Sequence, residues 1–246
     1  MDTWSEDKRR FLEMDLDAKR KFYKMKKYVT LEDISTWRDD CEKEHFAATK
    51  PLTEADKDQF QEFSIDSSLN KIIASKISIW RGDITELEID VIVNAANSSL
   101  AGGAGVDGAI HRAAGHELKR ECMSLLGCKV GEAKMTGGYA LPAKYVIHTV
   151  GPQDKSHEKL ASCYKSSFQL QHEHKLSSIA FPCVSTGVYG FPNRPAAHIA
   201  CATARKVLED DIKKHDGSLE RVIFCVFLKE DVEIYQSVAQ LYFPVE

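Results

Sequence analysis

Residues 94–108 read NAANSSLAGGAGVDG and follow the apolar run Ile89–Val93. Glycines here let the backbone adopt positive φ and approach a ligand closely. Successive backbone N–H groups in such a loop, feeding a helix expected over 106–115, make a cradle for an anion. Asn97 heads the loop, and its amide offers donors and an acceptor to a sugar hydroxyl. Asp107 stands at the helix start. It either steadies the helix N-terminus, worth about 0.5 kcal/mol, or points into a cleft to orient water or a ribose hydroxyl. His111 lies four residues on, on the same helix face, as a partner for Asp107 or as a structural histidine. Together these residues imply binding of a phosphate-bearing small molecule, with polar groups placed to act on what the phosphates hold.

Two further loops have matching chemistry. Gly82-Asp83-Ile84-Thr85 follows an apolar run, and Asp83 is either a turn residue or a carboxylate for a ligand. Ser185-Thr186-Gly187-Val188-Tyr189-Gly190 is either an ordinary turn ended by Pro192 or a second phosphate clamp walled by Tyr189. Phe227 ends the last apolar strand, where it packs in a core or stacks on a base. Asn94 is a candidate turn stabiliser, and His148 reads as a satisfied core histidine. Gly103–Gly108 matches G-x-G-x-x-G, but the glycines come late after the strand and no strand-ending acid follows about 20 residues on, so a dinucleotide-binding reading is set aside. G-x-S-x-G, H-E-x-x-H and a Walker lysine are absent. Any catalysis must therefore lean on positioning and on the ligand's own charge.

Alternating elements carry these loops. Strands are expected at 77–81, 91–95, 133–139, 145–150, 179–182 and 221–228, and helices at 106–115, 117–125, 157–175, 195–214 and 231–241. YVIHTV and RVIFCVFL are nearly continuous apolar runs, as in strands buried on both faces. The alternation predicts an α/β fold with a sheet between helix layers, and ligands of such sheets bind at strand carboxyl ends. Residues 1–70 differ: they are charged, carry Pro51 and no glycine, and read as a helical extension and tether preceding a domain over 71–246. Helices are expected over 6–14 and 17–28. A stripe of Leu31, Ile34, Trp37, Arg38 and Cys41 has a Thr30–Asp33 capping box, and Thr53 with Asp56 caps another helix. Residues 46–70 read as the tether.

Net charge of −4 gives no global basic face for nucleic acid. The local run Lys19, Arg20, Lys21, Lys24, Lys26 and Lys27 is a solvated helix face or a contact for a partner. The seven cysteines form no CxxC pair and read as reduced, mostly buried thiols of an intracellular protein, with no metal site. No apolar stretch approaches the ~18 residues of a membrane span, and the N-terminus carries no signal-peptide pattern.

Taken together, GDIT (82–85), IVNAAN (92–97), GGAGVDGAIHRAAG (102–115), PAKYVIHTVGP (142–152), CYKSS (163–167) and FPCVSTGVYGFPNRPAA (181–197) resemble the macrodomain family, and its MacroD-type branch most. The resemblance covers residues 71–246, and the segment at 1–45 is similar to the helical N-terminal portion of that branch. It implies a three-layer α/β/α fold with a mixed, mostly parallel sheet and an ADP-ribose cleft. It implies a hydrolase that removes mono-ADP-ribose from Asp and Glu side chains of proteins, deacetylates O-acetyl-ADP-ribose and acts on ADP-ribosylated nucleic-acid ends. No cofactor is implied. Carried onto this chain, Gly82, Asp83, Ile84 and Phe227 would hold adenine, with Asp83 accepting from its amino group. Ala95, Ala96, Gly102, Gly103, Ala104, Gly105 and Val106, with Val184, Ser185, Thr186, Gly187, Val188, Tyr189 and Gly190, would surround the diphosphate and distal ribose. Asn97 would hold that ribose. Asp107, alone or paired with His111, would orient it and a water held by an α-phosphate oxygen. Ala101, Ala104 and Val188 depart from the family pattern, and Ala104 adds a methyl to the phosphate loop. The competing reading is a reader that binds ADP-ribose without cleaving it. A monomer in the cytoplasm or nucleus is expected, with a place in the DNA damage response, and a mitochondrial one only from a longer precursor.

Overall fold

The computed structural model describes residues 3–25, 27–43, 51–61, 63–215 and 217–246. Residues 46–50 of the expected tether and Lys26 of the basic run lie outside them. Among the described residues, five α-helices precede the sheet: α1 (Thr3–Glu13), α2 (Leu16–Arg20), α3 (Trp37–Lys43), α4 (Glu54–Phe60) and α5 (Asn70–Ala74). The strands are β1 (Ile77–Arg81), β2 (Val91–Ala95), β3 (Ala133–Gly137), β4 (Tyr145–Thr149), β5 (Ser178–Phe181) and β6 (Arg221–Val226). They form one sheet in the order β1-β6-β5-β2-β4-β3. All pairs are parallel except β3, which runs antiparallel to β4 at the edge.

Val146–Thr149 of β4 and Val222–Val226 of β6 are buried on both faces, as expected, but the strand expected over 221–228 stops at Val226, and Phe227 and Leu228 stand exposed beyond it. Ile92, Val146, Ala180 and Ile223 face a core closed by α6 (Gly105–Ala114) and α7 (His116–Ser124). Val91, Val93, Ile147, Phe181 and Phe224 face the opposite core, under α8 (His157–Glu173), α9 (Asn193–Lys214) and α10 (Lys229–Tyr242). Alternate residues of one strand thus enter different cores, the period-two geometry of a strand. α9 starts at Asn193, before Pro195, which fits the first turn because its missing N–H has no partner there anyway.

The extension departs from its expected outline. α2 stops at Arg20 rather than reaching Tyr28, because the chain turns to bring Val29 beside Leu87, with Val29 N–H donating to Glu86 O and Glu88 N–H to Val29 O. The Thr30–Asp33 box opens a single 3₁₀ turn, and a second reciprocal pair, Thr36 with Asp39, starts α3, so the 31–41 stripe is two elements. The Thr53–Asp56 box caps α4 as read.

The extension also packs against the sheet domain. Trp37 is 1% exposed and its indole N–H donates to Phe243 O at 2.8 Å. Lys8 pairs with Glu121 at 2.6 Å and Arg20 with Glu88 at 2.7 Å. Lys19 is buried, donates to the carbonyls of Pro142 and Ala143, and is lowered to about 8 by burial. Lys24 donates to Arg112 O and Lys27 pairs with Glu86. The basic run, read as a solvated helix face or partner contact, instead supplies much of this docking. Among the described residues no helix is long and apolar enough to cross a membrane, and all seven cysteines are free.

Candidate functional site

The carboxyl ends of the strands set the loops along one rim of the sheet. Gly82 and Asp83 follow β1, Phe227 follows β6, Pro182–Gly190 follow β5, Ala96–Ala104 follow β2 and Gly151 follows β4. Strand order alone therefore lays out a cleft from β1 and β6 at one end to β2 and β4 at the other. It comprises two joined cavities. One, of about 430 Å³, is lined by Gly82, Asp83, Ile84 and Phe227 with Asn193 and Asp231. The other, of about 270 Å³, is lined by Asn97, Gly103, Ala104, Asp107, Ser185 and Tyr189. Gly105, Val106, Cys183 and Gly187 wall both.

At the first end, Asp83 is the turn residue its sequence context allowed, and it also lines the cleft. Its Oδ1 accepts from Thr85 N–H (3.0 Å) and Thr85 Oγ (2.7 Å), capping a short 3₁₀ turn. Phe227 is 70% exposed, so it is not core packing. In the middle, α6 begins at Gly105 and aims its first N–H groups at the cleft, the arrangement that favours an anion. Gly102 (φ +82) and Gly105 (φ +59) are left-handed. Ala104 sits at φ −94, a conformation open to any residue, so its methyl brings no backbone strain. Ser185 (φ +66) turns a buried hydroxyl oxygen that has no partner among the described residues.

Asp107 is 4% exposed. Its Oδ1 accepts from Asn94 Nδ2 at 2.8 Å, and Asn97 Nδ2 lies 3.4 Å from Oδ2 while donating to Gly102 O at 2.9 Å. A side chain at Gly103 would stand 3.1 Å from Oδ2, so glycine there leaves that oxygen open. Asn94 and His148 are register partners on β2 and β4, and Asn94 Nδ2 also reaches His148 Nδ1 at 3.1 Å. The His148 ring is fully buried, which pushes its pKa down to about 3. With Nδ1 accepting from Asn94, the neutral ring carries its proton on Nε2 and donates to Thr136 Oγ on β3 at 2.9 Å. A chain of buried hydrogen bonds across three strands thus ends on the Asp107 carboxylate. Burial raises the Asp107 pKa, with the Asn94 bond and nearby His111 opposing the rise, and burial lowers that of His111. Asp107 is therefore a stronger base than an exposed carboxylate. His111 Nε2 stands 3.5 Å from Oδ1 without a hydrogen bond, so it lies beside Asp107 rather than locking it.

Most residues expected at the site meet in this cleft. Val184 does not: its side chain belongs to the core. Gly102 and Gly190 shape the loops rather than line the cavities, and His111 lies behind Asp107. Sequence reasoning passed over Asn94 as a turn residue, and it missed Gly151, where a Cβ would collide with Ser185 Oγ, as well as Cys183, Asn193 and Asp231. The YVIHTVGP run held the Gly151 signal, since a glycine after a buried strand often marks a close approach. His111, Cys122 and His148 bring possible metal-ligand atoms within 4.8 Å of one another, but both His148 nitrogens already have partners in Asn94 and Thr136.

The Macro domain family model matches residues 93–200. The chain is 48% identical over 249 residues to the ADP-ribose glycohydrolase MACROD2 of Mus musculus, covering 99% of this chain and 49% of that protein. It is 46% identical to the ADP-ribose glycohydrolase MACROD1 of Rattus norvegicus, covering 98% of this chain and 89% of that one. The Trypanosoma brucei macrodomain solved in complex with ADP-ribose superimposes with a TM-score of 0.74 at 36% identity, covering 93% of this chain and 84% of that one. The chain spans about half the length of the MACROD2 relatives it matches. With the sheet order, the cleft and these likenesses in hand, the chain belongs to the macrodomain family, in its MacroD-type branch.

Proposed function

We propose that the protein is a hydrolase that frees mono-ADP-ribose from Asp and Glu side chains of modified proteins and removes the acetyl group of O-acetyl-ADP-ribose. Adenine lies between Ile84 and Phe227 with its amino group donating to Asp83. The diphosphate lies on the N-terminus of α6 and the Ser185–Gly190 loop. Neither cavity is lined by a described Lys or Arg, so backbone N–H groups carry the anion. The distal ribose lies between Asn97 and Asp107. A water held by Asp107 and an α-phosphate oxygen of the substrate adds to the ester; its proton passes to one of those two oxygens, and the free carboxylate and a sugar hydroxyl leave. ADP-ribosylated nucleic-acid ends fit the same cleft. Seven free cysteines support a reducing compartment, cytoplasm or nucleus, where damage-linked ADP-ribosylation is a setting for this activity, and we place the protein there as a monomer. The described parts of residues 3–70 serve as a buttress to the catalytic domain over 71–246.

The observation that carries this reading is Asp107: a buried carboxylate, fixed from behind by Asn94, at the mouth of an anion cradle. Binding ADP-ribose does not require a base held there. The test is release of free ADP-ribose from a Glu/Asp-linked automodified substrate, with Asp107→Ala and Asn97→Ala alongside. The reading expects release by wild type, loss in Asp107→Ala with ADP-ribose binding retained, and weakened turnover in Asn97→Ala. Unchanged turnover in Asp107→Ala refutes it. A wild type that binds ADP-ribose calorimetrically and releases none is a reader.

A further inference from the structure

We propose that a third cavity, beyond Tyr189, is a subsite for the polypeptide that bears the ADP-ribosyl ester. It rests on the hydrolase reading and on the ligand direction given above. The cavity, of about 340 Å³, is lined by Ser98, Val130, Gln153, Asp154 and Lys159, and it shares Gly151 and Tyr189 with the Asn97–Asp107 cavity. It therefore continues the cleft past the end where the scissile bond lies. Ser98 directly follows Asn97, and the β4 rim carries Gly151. The substituent on the distal ribose points out between them, away from adenine at the β1 and β6 end. An acetyl group is too short to extend far along this cavity; a side chain and its flanking peptide are not.

The walls suit a polypeptide. The Gln153 side chain is exposed and offers donors and an acceptor to a peptide group. Val130 is 44% exposed and gives an apolar contact. The loop after α7 carries Leu126, 92% exposed, and is tied to the cavity by the Cys128 N–H donating to Ser98 O at 2.9 Å. Lys159 stands on the rim, paired with Asp154 at 2.5 Å, where it can exchange that partner for a carboxylate of the acceptor chain.

Val130→Glu and Gln153→Ala test this in the full chain, since both side chains reach solvent and neither belongs to the nucleotide site. kcat/KM is measured on a Glu-linked mono-ADP-ribosylated protein and on O-acetyl-ADP-ribose, with melting temperature as the folding control. The subsite predicts a loss of about five- to tenfold on the protein substrate, the size of one or two lost contacts, and values on O-acetyl-ADP-ribose within about twofold. Equal losses on both substrates would put these residues in the nucleotide site and overturn the proposal. No loss on either overturns it too. A wild type that turns over neither substrate overturns the hydrolase reading and the subsite with it, a failure visible before any variant is made.

Discussion

Asn94→Ala is the perturbation that asks most of the site. It removes a 2.8 Å hydrogen bond to the buried Asp107 carboxylate and cuts the tie to His148. A hydrogen bond to a charged, buried group is worth about 1.5–3 kcal/mol. The Asn94 bond lowers the Asp107 pKa against a rise caused by burial, so losing it lets the pKa climb further. Losing that stabilisation of the ionised carboxylate should move the acid limb of kcat/KM to higher pH. The sign is fixed: Asp107 must be ionised to act as a base, so activity is lost first at low pH and partly returns as pH rises through the new limb. His111→Leu is the contrast. Its Nε2 makes no hydrogen bond to Asp107, and with its pKa lowered by burial the ring adds little charge, so the limb moves less. The assay is ADP-ribose release between about pH 5 and 9, with ADP-ribose affinity and melting temperature measured on the same preparations. A folded, ADP-ribose-binding Asn94→Ala whose acid limb stays put or moves down refutes the reasoning.

Three other changes test how the site is supported. Trp37→Ala empties a fully buried position and removes the bond to Phe243 O; it should cost about 3–5 kcal/mol and lower the melting temperature by on the order of 10 °C, and a shift of only a degree or two in calorimetry would show that the extension does not buttress the domain. Gly151→Ala places a methyl against Ser185 Oγ and Val184; displacement of the phosphate loop should weaken ADP-ribose binding about tenfold, roughly 1.4 kcal/mol, which isothermal titration calorimetry reads directly, and unchanged affinity would mean the loop yields freely. Lys19 has a folded-state pKa of about 8 against an ordinary 10.5, so the folded protein holds this proton less well than the unfolded chain. The charged lysine therefore opposes folding below about pH 8, and the opposition lifts as pH rises towards 10.5. Urea unfolding of wild type and Lys19→Met should diverge across that window by on the order of 3 kcal/mol in favour of wild type, and parallel curves would refute the assignment.

The loops that form the cleft are legible in the sequence because each property they need is local. A glycine run that tolerates positive φ, a helix start behind it and an apolar strand ahead of it all lie within residues 89–115. The strands are legible for the same reason, since burial on both faces writes itself as YVIHTV or RVIFCV, though the apolar FL that follows gave no sign that β6 ends at Val226. The docking of residues 3–25 and 27–43 was not legible, because the surfaces that receive Trp37 and Lys19 come from Phe243, Pro142 and Ala143, far along the chain. Asn94 is the instructive case. Its local context is a strand end, where an asparagine reads as a turn former, and its partners lie at Asp107, within reach of inference, and at His148, set by the register of β2 against β4. Yet a signal was present. IVN places Asn94, and YVIHTV places His148 beside Thr149, in otherwise apolar strands of a sheet covered on both faces; Thr149 Oγ donates to Glu132 O, which leaves Asn94 and His148. Burying an unpaired amide or imidazole costs about 2–7 kcal/mol in an apolar setting, so each had to find a partner within the layer. Two such residues on neighbouring parallel strands, at the same face and the same height, can share a hydrogen bond, here Asn94 Nδ2 to His148 Nδ1, and a third group is then needed for the amide hydrogen left over. The carboxylate at the head of α6, packed over that face, is the group that takes it. The polar positions that look like flaws in the buried strands are therefore what holds the reactive carboxylate in place.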